Sequence, residues 1–199
     1  MILAIDSSAG TAVAVTSPEG VRKGGAVTSD RRSHAEAIGP LISRALSTAS
    51  ASPGDITAVV MGVGPGPFTG LRVGIAAAQA FAWARSLPLW AVRSHDAAAQ
   101  AVTEPVVVVS DARRGEWACT GYLPHPDGGL GVMDGQTVLV PKDDIDQNDS
   151  QWNGSRIVWL EDVDPVALVT AALTRQARGE SLEPARPIYL REPDVTVSP

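Results

Sequence analysis

The sequence predicts an α/β protein built from two units along the chain. Three short β-type runs open it, at residues 2–5, 11–16 and about 21–28, and two apolar helical stretches follow at residues 33–49 and 69–85. A buried strand-type run, residues 58–63, lies between these helices. Because a helix then crosses over between two strands, those strands are expected to pair in parallel. Near Thr103 a similar pattern begins again.

The first unit is expected to begin as an antiparallel meander, because short turns separate its three strand-type runs. The first helix has Ser33 in the N-cap position and Glu36 three residues later, the spacing of a capping box. Its apolar residues recur at intervals of three and four, which predicts one buried face. They are Ile38, Leu41, Ile42, Ala45, Leu46 and Ala49.

The second unit carries weaker signals. A strand at residues 89–92, a short helix at 94–102 and a strand-type run at 105–110 lead into it, followed by an extended run at 116–123. Residues 124–135, rich in proline, glycine and aspartate, are predicted to form a loose connection. Strands at 136–140 and 156–160, a helix at 165–178 and a terminal segment at 187–191 complete the prediction. The predicted domains are residues 1–103 and residues 104–199.

Composition excludes several classes of function. The 199 residues are 44% apolar and 19% charged, which is typical of a globular protein, and 16 basic against 22 acidic residues give a net charge of −6. An acidic surface repels phosphate, so unaided binding to tRNA is not expected. The single cysteine, Cys119, excludes an internal disulfide and is read as a small buried residue. No apolar stretch approaches the ~20 residues needed to cross a bilayer, and the first residues lack a signal-peptide pattern, so we expect a cytoplasmic protein.

No enzyme motif is legible in the chain. Its three histidines, His34, His95 and His125, lie far apart and have no neighbouring histidine or cysteine, so neither a metal site nor a cofactor is predicted. A Walker-type loop and a G-x-S-x-G elbow are also absent from the sequence. His34 and Glu36, near a helix start, are interpreted as capping and contact residues, with general acid and base chemistry as the alternative.

The most informative segment is GPGPFTGLRVG at residues 64–74, which closely resembles the GPGSFTGLRIG signature of the TsaB (YeaZ) family, with Pro67 in place of serine. Four other pieces agree in order: ILAIDSS at residues 2–8, RSHAE at 32–36 with PLI at 40–42, DARRGE at 111–116 and PIYLR at 187–191. The resemblance is strong over residues 1–116 and thin over residues 117–186.

That resemblance implies a fold of the actin, sugar-kinase and Hsp70 ATPase (ASKHA) type, with a reduced second domain. It implies a non-catalytic subunit that works with a TsaD-like catalytic subunit and a TsaE-like ATPase to transfer threonylcarbamoyl to an adenosine of tRNA. Contact with tRNA would then be indirect, through the complex. The alternative is an independent small ATPase or glycoprotease-like hydrolase of the same fold that uses Asp6 and the interdomain cleft.

Nucleotide-binding members of this fold class carry a glycine in the first turn, whereas this chain has Asp6, Ser7 and Ser8 there. Two interpretations stay open: a nucleotide phosphate meets these residues, or they only satisfy the end of a strand. The signature loop is also open to two interpretations, a rigid turn that aims the second helix or an anion site at its N-terminus. Its residues are Gly64, Pro65, Gly66, Phe68, Thr69 and Gly70.

The second helix predicts a docking role, because it scarcely has a polar face between residues 71 and 84. Another protein or a segment of the same chain could cover it, and without a partner the same face could form a homodimer. Arg72 would meet either a partner carboxylate or an internal one such as Asp6. The residues predicted to face the partner are His34, Glu36, Leu41, Arg72, Ile75, Ala78, Gln79 and Ala82.

Two features of the second half receive plain structural interpretations. Residues 111–116 are predicted to form a charged turn between two strands. Trp117, Trp152 and Trp159 are interpreted as core or loop-covering aromatic residues, not as platforms for bases.

Overall fold

A computed structural model of the chain describes residues 1–28, 30, 33–145 and 154–191. The first half contains strands β1 (Ile2–Asp6), β2 (Thr11–Thr16), β3 (Arg22–Thr28), β4 (Ala58–Gly62) and β5 (Leu89–Val92), with helices α1 (His34–Thr48) and α2 (Phe68–Ala84). The second half contains β6 (Val106–Arg113), β7 (Glu116–Leu123), β8 (Val132–Pro141), β9 (Arg156–Trp159) and helix α3 (Pro165–Ala177). Arg32 and Trp152, which entered the predictions above, lie outside the described residues.

The first sheet has the strand order β3-β2-β1-β4-β5. The strands β1, β2 and β3 form the predicted antiparallel meander, and β4 pairs in parallel with β1 and β5 as the crossover predicted. Side chains alternate along each strand, so Leu3 and Ile5 pack towards α1 and α2 while Ile2 and Ala4 pack towards the second sheet and α3. Both faces are therefore covered, which explains why β1 and β4 are continuous apolar runs.

The second sheet has the order β8-β7-β6-β9, with only the β6–β9 pair parallel. The prediction of a loose connection up to Gly135 is wrong, because β8 already begins at Val132. Its register against β7 shifts between Cys119 and Gly121, and Gly135 has a φ of 73°. This irregularity places aspartate and glycine inside a strand, two residues that normally indicate a turn.

Two other local predictions are wrong. The helix expected at 94–102 is only a 3₁₀ turn, Ser94–Ala97, and Ala101 has a left-handed φ of 53° that no helix continues through. The capping box of α1 is absent: the Ser33 hydroxyl donates to Asp30 Oδ2 at 2.6 Å and makes no bond to the helix.

The chain returns to the first sheet after β9. Helix α3 packs its buried residues Leu168, Val169 and Ala172 under β1, β4 and the second sheet, with Asp164 as an N-cap that accepts from the Val166 amide at 3.0 Å. The chain beyond α3 then runs back along the first unit, where the Glu183 amide donates to Ala91 O.

The two domains at residues 1–103 and 104–199 stay a prediction. Within the described ranges, no helix is long and apolar enough to span a bilayer.

Candidate functional site

A cleft of about 530 Å³ opens between the two sheets, where strands of both sheets end. Ser8 follows β1, Pro67 follows β4 and Leu160 follows β9, so the carboxyl ends of parallel strands from both units meet there. Such a position is the usual one for a ligand site in open α/β sheets. The residues that line the cleft are Ser8, Ala9, His34, Pro67, Phe68, Thr69, Gly70, Val109, Ser110, Asp111, Arg113, Trp117, Lys142, Trp159, Leu160 and Glu161.

Asp6, at the end of β1, is buried and engaged by the chain itself. Its Oδ1 accepts from the amide and the hydroxyl of Ser8 at 2.7 and 2.6 Å, and its Oδ2 accepts from the Ser94 hydroxyl at 2.5 Å. Burial raises the pKa of the carboxyl, and the three hydrogen bonds oppose that rise. Gly62 makes room for this arrangement, since a Cβ there would collide with the Asp6 carboxylate.

Ser7 joins the same turn to the first turn of α2. Its hydroxyl donates to Gly70 O at 2.7 Å and accepts from the Gly74 amide at 3.0 Å, so it is inserted into the helix's own i to i+4 hydrogen bond. A side chain on either glycine would collide with Ser7. Two glycines of the signature motif are thus explained by the close approach of the serine.

The signature loop is held by internal contacts. Gly64, with a φ of 94° and a cis bond to Pro65, donates its amide to the Ser94 hydroxyl at 3.0 Å, and its carbonyl accepts from the Ser94 amide at 2.8 Å. Gly66 lies against Ser8 so closely that a Cβ would reach within 2.9 Å of it. These contacts fix the direction in which α2 leaves β4. Thr69 stays exposed at the start of α2.

His34 and Glu36 separate in the structure. The ring of His34 is buried against Gly70, and its Nδ1 lies 2.7 Å from the Thr11 hydroxyl. Glu36 is exposed on α1. The two side chains therefore do not share one buried site.

Most residues predicted to face a partner have partners within this chain. Leu41, Ile75, Ala78 and Ala82 lie in the core between the helices and the first sheet. Gln79 Nε2 donates to Ala185 O at 3.0 Å. An exposed apolar strip remains on α2, consisting of Ala76, Ala80, Trp83 and Ala84, and Trp83 is 70% exposed.

Arg72 does not pair with Asp6, the internal carboxylate proposed for it. Its Nε donates to the Tyr189 hydroxyl at 2.7 Å, and its guanidinium lies 3.6 Å above the Phe68 ring centroid. Phe68 and Tyr189 stack with centroids 4.9 Å apart. The terminal segment is thereby fastened across the start of α2, and the Ile188 amide adds a bond to Val63 O at 2.8 Å. A segment of the same chain thus covers this part of the helix.

The charged turn predicted at residues 111–116 joins β6 and β7. Asp111 pairs with Lys142 at 2.9 Å and with Arg113 at 3.3 Å, and these contacts lower the pKa of its carboxyl although burial opposes them. Arg191 pairs with Glu116 and donates to the carbonyl oxygens of Ala112 and Arg113, each at 3.3 Å. The terminal segment therefore fastens this turn as well.

Of the three tryptophans interpreted above, Trp117 and Trp159 are described by the structure and lie in the cleft wall. Their rings meet edge to face with centroids 4.9 Å apart, and Lys142 Nζ lies 4.2 Å above the Trp117 ring. Because Trp117 packs beside the third apolar cluster of the chain, the core interpretation is confirmed for it. Trp159 is 41% exposed.

Sequence reasoning missed a buried polar cluster at residues 94–96, where consecutive side chains bind three different elements. Ser94 binds Asp6 and Gly64, as described above. His95 connects the turn to the second sheet, because its ring nitrogens lie 2.7 Å from the Ser110 hydroxyl and 2.8 Å from the Thr120 hydroxyl. Asp96 accepts from the Tyr122 hydroxyl at 2.7 Å and pairs with Arg175 of α3 at 2.9 Å. The only available signal was the run of four polar residues, Arg93 to Asp96, after an apolar strand.

Burial shifts the pKa of the titratable members of this cluster. It lowers the pKa of His95 to about 3, with help from the nearby charge of Arg93. It raises the pKa of Asp96 although Arg175 and Tyr122 oppose the shift. His95 is therefore a neutral ring at pH 7, and the cluster is a junction between the two sheets and α3. Among the described residues, no group of three histidine, cysteine or acidic side chains is arranged to hold a metal ion.

Comparison with known sequences gives a family. A family model described as TsaD, tRNA N6-adenosine threonylcarbamoyltransferase, matches residues 19–123. An uncharacterized protein of Mycobacterium tuberculosis is 36% identical over 203 residues, which cover 97% of this chain and 92% of that protein. The tRNA threonylcarbamoyladenosine biosynthesis protein TsaB of Escherichia coli is 28% identical over 191 residues, covering 80% of this chain and 81% of that protein.

Comparison with solved structures gives the fold. A Pseudomonas aeruginosa protein, described as uncharacterized with similarity to peptidase YEAZ, superposes with a TM-score of 0.73 at 26% identity and covers 96% of this chain and 99% of its own. YeaZ from the same organism gives a TM-score of 0.74 at 24% identity, covering 95% and 99% of the two chains.

The two mixed sheets with a cleft between them form an α/β fold that is shared with YeaZ and is consistent with the actin, sugar-kinase and Hsp70 ATPase class that the sequence resemblance implied. Within that class, the chain belongs to the TsaB (YeaZ) family of tRNA threonylcarbamoyladenosine biosynthesis proteins. The resemblance noted in the sequence is confirmed.

Proposed function

We propose that the chain is a non-catalytic, cytoplasmic subunit that docks onto a TsaD-like catalytic subunit and, with a TsaE-like ATPase, supports threonylcarbamoyl transfer to tRNA. The observation that carries this proposal is the exposed apolar strip of α2, formed by Ala76, Ala80, Trp83 and Ala84. Family membership supports the choice of this reaction and of this partner.

The strip has the character of an interface. Its residues recur at intervals of three and four and so lie on one face of the helix. Three are alanines, which allow another helix to approach closely, while the exposed indole of Trp83 offers a large apolar anchor. Covering an exposed side chain of this size stabilises a complex by about 2–3 kcal/mol. In the absence of the catalytic subunit, the same strip would pair with itself in a two-fold homodimer.

The turn at Asp6 supports a role without catalysis. The hydroxyls of Ser7 and Ser8 and both carboxylate oxygens of Asp6 already serve the connections between β1, α2 and the 94–96 cluster. A phosphate or substrate at this turn would have to displace those bonds. The rival function, an independent ATPase or hydrolase that uses Asp6, predicts sustained turnover by the purified chain that is lost in Asp6→Ala.

The test is light scattering coupled to size-exclusion chromatography, on the chain alone and mixed with the TsaD of its own organism. Trp83→Glu and Ala80→Glu place a charge in the strip, whereas Ala177→Glu places the same charge at an exposed position of α3 as a matched control. We expect a defined heterodimer for the wild type and the control, and a loss of at least about tenfold in affinity for the two strip variants.

Thermal melts followed by circular dichroism must show that each variant stays folded, which is expected because both strip positions are exposed. The heterodimer should also displace the homodimer. If wild type and strip variants bind the catalytic subunit equally, the docking surface is wrong, and if the wild type forms no complex, the proposed function fails.

A further inference from the structure

A second groove, of about 340 Å³, shares Pro67, Phe68 and Arg113 with the cleft between the two sheets. Its walls are the signature loop, the β6–β7 turn and the terminal segment, and apolar Ala118 and Leu139 contribute to its lining. The groove takes no part in the docking strip proposed above. What it could bind follows from the charges and rings along its walls.

The charges in the groove are of one sign. Arg113, Arg114 and Arg191 line it, and no acidic side chain is among the described residues of its lining. Acidic residues outnumber basic ones by 22 to 16 in this chain, so three arginines at one place are a local reversal of the overall charge. Asp111 and Glu116, which flank the turn outside this lining, pair with Arg113 and Arg191 and hold those guanidinium groups in place. Because Lys142 also pairs with Asp111, the basic groups at the turn still outnumber these two acids. A groove of this kind attracts an anion.

The groove also carries an aromatic platform. Phe68 and Tyr189 stack at 4.9 Å with an interplanar angle of 28°, and they are 41% and 39% exposed. Arg72 fixes both rings, through its position above Phe68 and its hydrogen bond to the Tyr189 hydroxyl. Exposed aromatic rings that are held in place this way can stack on a planar group without first being ordered.

The hairpin turn between β6 and β7 presents two of the arginines. Arg113, Arg114 and Gly115 follow one another with φ values of 65°, 55° and 77°. Arg114 and Gly115 are the two central residues of the turn, where positive φ values match the twist of the flanking strands, and Arg113 lies at the register shift of β6. Arg191 stabilises this turn through two carbonyl oxygens, so the arginines of the turn and of the terminal segment form one connected unit.

We propose that this groove binds a single-stranded segment of RNA, with Arg113, Arg114 and Arg191 at phosphates and the Phe68–Tyr189 stack against a base. The inference rests on the proposed function and deepens it, because it gives this subunit a direct contact with the RNA that the complex modifies. An acidic protein segment would use the arginines but would leave the aromatic stack without a planar partner. The combination of fixed rings and arginines is typical of single-strand recognition. Because the whole chain is acidic, binding by the isolated subunit is weak and salt-dependent.

The test is fluorescence anisotropy of a labelled single-stranded RNA of about ten nucleotides, titrated with the full chain alone at several salt concentrations from about 20 mM upward. The charge variant is Arg113→Gln with Arg114→Gln, and the stacking variant is Tyr189→Leu. Tyr189→Phe keeps the ring and loses only the bond to Arg72. The matched control is Arg156→Gln, at the end of β9 that lies away from the cleft, about 10 Å along the strand from Trp159.

We expect a Kd of roughly 10⁻⁵ to 10⁻⁴ M at the lowest salt concentration. The charge variant should bind about tenfold more weakly, and its slope of log affinity against log salt should be shallower by about 1.4 because two phosphate contacts are lost. Tyr189→Leu should bind at least about fivefold more weakly with an unchanged slope, and Tyr189→Phe and Arg156→Gln should stay within about twofold of the wild type. Circular dichroism melts establish that all variants are folded.

Two results overturn the inference: no binding by the wild type up to about 1 mM, or equal binding by wild type, charge variant and stacking variant. A polyglutamate peptide of equal length provides a third. The groove is a site for an acidic protein segment if the peptide binds as tightly as RNA, binds the charge variant more weakly, and binds Tyr189→Leu as tightly as the wild type. Mixing the same samples with the catalytic subunit separates the two proposals, because RNA binding without complex formation refutes only the docking role.

Discussion

His95 makes the stability of this protein depend on pH in a way that the structure determines. The ring is fully buried between the two sheets, with Ser110 and Thr120 at its nitrogens, and burial lowers its pKa from 6.5 to about 3. In the unfolded chain the ring titrates near its ordinary value. Below pH 6.5 the unfolded state therefore binds a proton that the folded state does not, and stability falls as the pH falls.

The size of this effect follows from the two pKa values. Between pH 7 and pH 5 the unfolded state gains free energy from protonation while the folded ring stays neutral, which lowers the free energy of unfolding by about 2 kcal/mol. For a chain of this length, that loss corresponds to a decrease of about 4–8 °C in Tm. Asp6 and Asp96, whose pKa values are raised by burial, act in the opposite direction as the pH falls. The contribution of His95 must therefore be isolated by a difference between variants.

The measurement is urea unfolding at pH values from 5 to 7 for the wild type, His95→Gln and His125→Gln. Loss of one buried hydrogen bond makes His95→Gln less stable at pH 7 by about 1–3 kcal/mol, but this gap should shrink by about 2 kcal/mol at pH 5. His125→Gln, in the loop that precedes β8, serves as the control for replacing a histidine outside the buried cluster. If the gap between His95→Gln and the wild type is the same at both pH values, the histidine is not the neutral buried group that the structure indicates.

Four further predictions concern single positions. Gly74→Ala, normally favourable inside a helix, should lower stability by about 2 kcal/mol or more because its Cβ would collide with the Ser7 hydroxyl, and a rise in Tm would contradict that contact. Ser7→Ala should cost about 1–3 kcal/mol in chemical unfolding, since it leaves two bonds to α2 unmade, and an unchanged midpoint would show that they contribute nothing. Asp164→Ala should lower the free energy of unfolding by about 1 kcal/mol because α3 loses its cap, whereas the neighbouring exposed Asp162→Ala should leave it unchanged. Burial raises the pKa of Cys119 to about 12, so an alkylating reagent at pH 8 should label it only after unfolding, and rapid labelling of the native chain would place it elsewhere.

Much of the architecture could be predicted because it depends on local pattern. Alternation and apolar periodicity located the meander, the crossover and all three helices to within one or two residues. The errors fell where tertiary contacts override local preference. The start of β8 contains Asp134 and Gly135, which indicate a turn until pairing with β7 is known, and Ser33 makes no cap bond to α1 but donates its hydroxyl to Asp30.

The functional surfaces were predicted less well than the elements that carry them. The sequence correctly predicted that α2 is an apolar helix, but several side chains predicted to face a partner lie in the core. Ala78 was one of these. Composition shows that a helix is apolar on all sides, and it does not show which side the rest of the chain covers. For Arg72 the sequence suggested a carboxylate of a partner or of this chain, whereas its contacts within the chain, Phe68 and Tyr189, could be recognised only once the terminal segment was placed across α2.

The sequence by itself determined the fold class, the family and the strands and helices, because these depend on periodicity and on a motif within a few adjacent residues. Only the tertiary structure decided what the polar side chains do. Ser7 meets Gly70 across 63 residues, Asp6 meets Ser94 across 88, and Arg72 meets Tyr189 across 117. Contacts over such separations depend on how sheets and helices pack, and a buried polar group takes whichever partner that packing brings within hydrogen-bond distance.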